Sequence, residues 1–81
     1  MKRFKDQSAI ITGGAEGLGK GIAERIASEG GKVFLFDINQ SMLEKTIQEF
    51  KNKAFDAEGL AVDVSSESSV IDGIRQVQEK T

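Results

Sequence analysis

Thr12-Gly13-Gly14-Ala15-Glu16-Gly17-Leu18-Gly19 decides how this chain folds, because Gly13, Gly17 and Gly19 fall where a buried strand runs out and an amphipathic helix begins. Glycine reaches positive φ and lets backbone N–H groups approach a ligand with no Cβ in the way. The helix that follows adds unpaired donors and roughly half an elementary positive charge at its N-terminus. The spacing therefore predicts an anion cradle, suited to phosphate, at this corner.

Working outward, Ser8-Ala9-Ile10-Ile11-Thr12 precedes the corner, after a polar Lys5-Asp6-Gln7 turn. Adjacent Ile10 and Ile11 predict a strand covered on both faces, as in a parallel sheet. Beyond the corner, Leu18, Ile22 and Ile26 recur at helical spacing with Ala23 and Ala27 beside them, which predicts one inward stripe. Gly30-Gly31 supplies a left-handed cap. Gly21, inside that helix, costs about 1 kcal/mol relative to Ala. Lys32 to Asp37 is an apolar run closed by an acid and predicts the second strand. Asn39 then caps a helix whose core face is Leu43, Ile47 and Phe50. Lys51 to Gly59 holds the helix end and a loop, Leu60-Ala61-Val62-Asp63 a third strand, and Ser65 caps a third helix with Val70, Ile74 and Val77 inward. The order βαβαβα predicts an α/β fold, a parallel sheet wound by right-handed crossovers.

Composition narrows the function. Eighty-one residues make at most one small domain, burying only about 60–65% of the surface its unfolded chain exposes. The net charge is −2, and after Lys2, Arg3 and Lys5 no basic stripe follows, so neither nucleic acid nor an anionic membrane is an expected partner. With no cysteine and no histidine, disulfides, thiolate metal sites and imidazole catalysis are excluded within these residues. The longest apolar run, Val33-Phe34-Leu35-Phe36, is too short to span a bilayer, and no secretory h-region opens the chain. A soluble, cytoplasmic protein without a metal site is expected.

Two acids join the glycine corner. Asp37 ends the second strand 24 positions after Gly13, close to where a dinucleotide fold carries the carboxylate that accepts from the adenosine ribose hydroxyls. Asp63 ends the third strand. With the corner, these occupy the carboxyl ends of three successive strands, where open α/β sheets bind ligands.

At these residues the chain resembles the short-chain dehydrogenase/reductase family, whose cofactor motif Thr-Gly-x-x-x-Gly-x-Gly is matched by Thr12, Gly13, Gly17 and Gly19. The resemblance extends along all 81 residues, through the strand ending in Asp37 to the Asp63-Val64 pair. It implies the N-terminal half of a doubly wound, Rossmann-like sheet with strand order 3-2-1, residues 1–81 forming a dinucleotide-binding portion that stops before strand 4. It also implies that Gly13 and the backbone around Gly17, Leu18 and Gly19 line a pyrophosphate, that Glu16 lies by the adenosine ribose, and that Ile38, Asp63 and Val64 lie by the adenine.

The reaction implied is hydride transfer between a nicotinamide cofactor and an alcohol or ketone. NAD is expected over NADP, because a 2′-phosphate needs Arg or Lys opposite it and this chain offers Asp37 and Glu16. The family's catalytic set is a Tyr-x-x-x-Lys pair with an upstream Ser, and tyrosine is absent from the chain. No residue here is therefore assigned a catalytic role, and Ser65, Ser66, Ser68 and Ser69 read as a cap and first-turn solvent residues. A longer parent, homodimeric or homotetrameric, is expected to carry the catalytic and substrate-binding half. Without it the first strand would be an exposed apolar edge prone to self-association. Two other readings stand beside this one. A non-catalytic nucleotide-binding module would keep the same cradle. A P-loop nucleotide hydrolase is suggested by Gly14 to Lys20, which fits G-x-x-x-x-G-K, but Gly21 stands where Ser or Thr must hold Mg²⁺, and Lys20 reads as a solvent-face residue near Glu24.

Overall fold

The computed structural model describes residues 6–13 and 17–80. Among them, β1 (Ser8–Thr12), α1 (Gly17–Ser28), β2 (Lys32–Asp37), α2 (Gln40–Asn52), β3 (Ala57–Ala61) and α3 (Glu67–Lys80) follow in strict alternation. The sheet runs β1-β2-β3 with both pairs parallel, which is the order 3-2-1 from its other edge. Ile11 lies beside Leu35, and Leu35 beside Gly59, so the three strands end at one level.

β2 is central and buried on both faces, which is why its sequence is continuously apolar instead of alternating. Val33 and Leu35 point to one side, where Ala23 and Ala27 of α1 and Leu43 and Phe50 of α2 complete a core. Phe34 and Phe36 point to the other, where Val62, just past β3, and Val77 of α3 cover them. Helices on both faces of a parallel sheet make this a partial Rossmann fold.

Local chemistry sets the helix ends. Asn39 Oδ1 accepts from Met42 N–H at 3.1 Å, capping α2 as the sequence predicts. Gly30, at φ +93°, closes α1: its N–H donates to the Ala27 carbonyl and Gly31 N–H to the Ile26 carbonyl, a Schellman motif. The same motif ends α2, where Ala54 N–H donates to Lys51 O and Phe55 N–H to Phe50 O. There the left-handed position is held by Ala54 at φ +61°. Phe55 packs edge-on against Phe50, their centroids 5.7 Å apart, which is the apolar contact that accompanies this cap.

Several expected faces turn out rotated. On α1, Ala23 and Ala27 are buried and Ile26 packs beside them, while Leu18 is 82% and Ile22 46% exposed. At about 100° per residue, Leu18 lies roughly 140° round from Ala23. Small alanines let the helix approach the sheet closely, and that contact sets its rotation. On α3, Gly73 and Val77 face the sheet and Val70 packs against that core, but Ile74 is exposed at its side. Gly73 allows this fit, since a Cβ there would lie 3.0 Å from both Phe36 and Val62. Ile10 is 40% exposed on the α3 side of β1, so the double coverage expected for the first strand holds on the α1 side, where Ile11 packs.

Two boundaries also move. β3 begins at Ala57 and ends at Ala61, three residues before the predicted start and two before the predicted end. Pairing with β2 recruits Glu58 and Gly59 despite their weak strand preference. α3 is capped by Ser66, whose Oγ accepts from Ser69 N–H at 3.4 Å and whose carbonyl accepts from Val70 N–H at 3.1 Å. Ser65, the expected cap, is bonded to Asp63 instead.

Candidate functional site

The carboxyl ends of β1, β2 and β3 surround a small cleft of about 120 Å³, lined by Gly13, Phe36, Asp37, Ile38, Val62, Asp63 and Val64. Five of these are residues singled out in the sequence: Gly13, Asp37, Ile38, Asp63 and Val64. Parallel strands of matched register bring them together, because each strand ends on the same side of the sheet. Sequence reasoning missed Phe36 and Val62, which form the floor. Their signal was present, since each is the apolar residue just before a singled-out acid.

Gly13 turns the chain off β1 at φ +66°, and among the described residues beyond its chain neighbours no atom lies within 4 Å of where its Cβ would be. Its N–H donates to the Phe36 carbonyl at 2.7 Å, tying the turn to β2. Gly13 thus meets no described side chain where its Cβ would be, with its own donor already committed to the sheet. Gly17, at φ +65°, opens α1, and Leu18 and Gly19 complete that first turn. First-turn N–H groups have no intrahelical acceptor, and the helix dipole adds positive potential there. Gly17, Leu18 and Gly19 do not line the cleft itself. Glu16 lies outside the described residues.

Asp37 closes β2 half-buried. Its Oδ1 accepts from Asn39 N–H at 3.0 Å and its carbonyl from Val62 N–H at 3.1 Å, so it holds the start of α2 and the end of β3 together. Ile38 and Val64 stand exposed at the rim as apolar surface. Asp63 lies two residues past β3. Its Oδ1 accepts from the Ser65 hydroxyl at 2.6 Å and from Ser65 N–H at 2.9 Å. These bonds, the hydroxyl first, hold its carboxyl below the usual carboxylate range against a smaller opposing effect of desolvation. The serine cluster is thus partly structural to the cleft: half-buried Ser69 accepts from Asp63 N–H through Oγ at 3.0 Å.

A larger groove of about 460 Å³ runs between α2 and β3, lined by Gln40, Glu44, Ile47, Gln48, Glu58 and Gly59 among others. It flanks the outer edge of the sheet, away from the strand-to-helix corner. Lys20, the cation of the G-x-x-x-x-G-K match, donates to Glu49 Oε2 at 2.7 Å, tying α1 to α2. Glu24, expected beside Lys20, pairs with Lys53 at 2.6 Å. No helix among the described residues is long and apolar enough to cross a membrane.

Comparison with known proteins agrees with this architecture. A family model described as short chain dehydrogenase matches residues 7–81. A diacetyl reductase [(S)-acetoin forming] of Staphylococcus epidermidis is 52% identical over 59 residues, which are 73% of this chain and 23% of that protein. A CLA biosynthesis dehydrogenase/reductase of Lactiplantibacillus plantarum is 41% identical over 80 residues, 99% of this chain and 28% of that protein. Among solved structures, a short chain dehydrogenase/reductase from Burkholderia phymatum in complex with NAD superposes with a TM-score of 0.91 at 30% identity, over 98% of this chain and 28% of that one. The chain therefore spans about a quarter of the length of the relatives it matches. Glycine corner, parallel sheet and family match agree along nearly the whole length, and the chain belongs to the short-chain dehydrogenase/reductase family.

Proposed function

We propose that this chain is the NAD-binding portion of a longer oxidoreductase that moves hydride between the nicotinamide and an alcohol or ketone. The observation that carries this reading is the cleft at the carboxyl ends of the strands, where Gly13, Asp37, Ile38, Asp63 and Val64 meet. The residues suit a dinucleotide: no described side chain over Gly13 to keep out a diphosphate, acceptor carboxylates for hydroxyl and amino groups, and apolar rim residues for a flat base. When bound, the nicotinamide supplies the hydride donor or acceptor. The part of this chain is to hold and orient the adenosine end. Gly17, Leu18 and Gly19 would face the diphosphate from the first turn of α1, and Asp37 and Glu16 the ribose. Substrate and catalytic residues would come from the rest of a cytoplasmic parent.

NAD is preferred over NADP in this reading, since the Asp37 carboxylate would lie against a 2′-phosphate with no cation offered in return. The Lys20–Glu49 pair counts against a P-loop hydrolase, whose lysine has to reach a phosphate. Isothermal titration of the full-length protein with NAD and NADP tests the proposal. NAD should bind at least about tenfold more tightly, and Asp37→Ala with Glu16→Arg should reverse the order. Equal or tighter binding of NADP by the wild type would overturn the preference, and binding of neither would overturn the dinucleotide site.

A further inference from the structure

β3 has an open edge. Val33 N–H donates to the Asp56 carbonyl and Val62 N–H to the Asp37 carbonyl, with Val33 beside Ala57 and Leu35 beside Gly59. Backbone groups alternate in direction along a parallel strand, so Asp56, Glu58, Leu60 and Val62 turn theirs to β2. Ala57, Gly59 and Ala61 turn theirs outward. In doubly wound order later strands add beyond β1, which leaves β3 at the margin of the sheet. Natural edges are guarded by lysine, proline or a bulge. β3 has none of these: its register with β2 is unbroken, and its one charge, Glu58, is neutralised by Lys32 and Lys80.

The groove of about 460 Å³ lies along this edge, with α2 as its other wall. A Cβ at Gly59 would lie 2.8 Å from Leu43 Cγ, so α2 sits low over the strand and its outer face reaches the edge. That face carries exposed Glu44 and Lys51, two helical turns or about 10.5 Å apart along the axis. Glu44 accepts from Gln40 Nε2 at 3.4 Å, and neither charge has an ion pair among the described residues. A two-fold axis through Gly59 sets a second β3 antiparallel to the first, Gly59 opposite Gly59 and Ala57 opposite Ala61, so that each outward residue exchanges both its hydrogen bonds. The same axis reverses α2 and brings Glu44 of each copy toward Lys51 of the other. An unrelated strand would satisfy the edge alone, whereas a second copy answers both charges as well. We propose that the β3 edge and the outer face of α2 form a two-fold interface between copies of this protein, with Glu44 set against Lys51 across it. The interface is separate from the cleft at the strand-to-helix corner and does not depend on what binds there.

The test is the molar mass of the full-length protein by size-exclusion chromatography with multi-angle light scattering, with circular dichroism melts to check that each variant folds. Lys51→Glu and Glu44→Lys each put like charges across the axis and should halve the mass of the wild-type assembly. The double variant Glu44→Lys with Lys51→Glu restores opposite pairs and should restore the mass, an outcome that a merely local helix effect would not give. Ala61→Pro removes an N–H that points away from β2, which an edge strand tolerates, and its ring blocks the second strand, so it should also halve the mass. Wild-type protein of monomer mass overturns the proposal and leaves the groove to an unrelated extended segment. An unchanged mass in the single charge variants, or a halved mass that the double variant does not restore, overturns the Glu44–Lys51 register. An unchanged mass in Ala61→Pro overturns the strand pairing.

Discussion

Replacing Gly73 by alanine should destabilise the protein even though alanine is the better helix former. In α3, Gly→Ala alone gains about 1 kcal/mol from helix propensity. The new methyl would lie 3.0 Å from Phe36 Cε2 and Val62 Cγ2 and 3.1 Å from Phe36 Cζ. Carbon atoms rest about 3.5–4.0 Å apart, so the neighbours would have to yield by roughly half an ångström. Neither has room to do so, since Phe36 is 1% and Val62 3% exposed. Overpacking of this kind costs about 1–3 kcal/mol. The net expectation is a loss of about 1 kcal/mol, with α3 pushed away from the floor of the cleft. Gly21 supplies the contrast, because it is exposed on α1 and a methyl added there would meet no described residue's atoms within 4 Å outside its own helix turn. Gly21→Ala should stabilise by about 1 kcal/mol. Urea unfolding followed by circular dichroism would compare the midpoints of the two variants with wild type. If Gly73→Ala raised the midpoint as Gly21→Ala does, the close approach of α3 to Phe36 and Val62 would not be required and the packing account would be wrong.

Ala54→Gly should raise the unfolding midpoint, because Ala54 holds a left-handed cap at φ +61° that costs a side-chain residue about 1–2 kcal/mol, partly offset by the greater entropy of unfolded glycine; a lowered midpoint would refute it. Asn39→Ala removes the acceptor for Met42 N–H and should cost about 1 kcal/mol, measured the same way, with Asn39→Asp close to wild type. Glu58 is held below the usual carboxylate range, first by its hydrogen bond to Lys80 and then by that to Lys32, against desolvation. A depressed folded-state pKa means the contribution is complete above the ordinary value of 4.5 and is lost as pH falls through the lower folded value. Glu58→Gln should therefore narrow the difference in stability between neutral and acid pH, and an unchanged acid limb in pH-dependent thermal melts would count against that linkage.

How much of this was legible along the chain depended on whether the determinant was local. β2 could be read because a strand covered on both faces must be apolar throughout, and Val33 to Phe36 are. The Asn39 cap and the Gly30 turn could be read because their partners lie within five residues. The start of β3 could not, since Ala57, Glu58 and Gly59 become strand only by pairing with Val33, Phe34 and Leu35. The roles of Ser65 and Ser66 were transposed for a similar reason: both are good caps, and Asp63 had already engaged Ser65. Lys20 and Glu24 share a helix but pair across to Glu49 of α2 and to Lys53, the residue that follows it, which are better placed.

By itself, the amino-acid order determined the alternation of strands and helices, the glycine corner with its positive-φ turns, and the acids that close the second strand and follow the third, because periodicity, caps and turn chemistry act over a few residues. Only the tertiary structure decided which face of α1 and α3 turns inward and where the cleft lies. Those outcomes depend on how closely Ala23, Ala27 and Gly73 let helices approach the sheet, and on a register that carries Gly13 to Asp63 across 50 positions of chain.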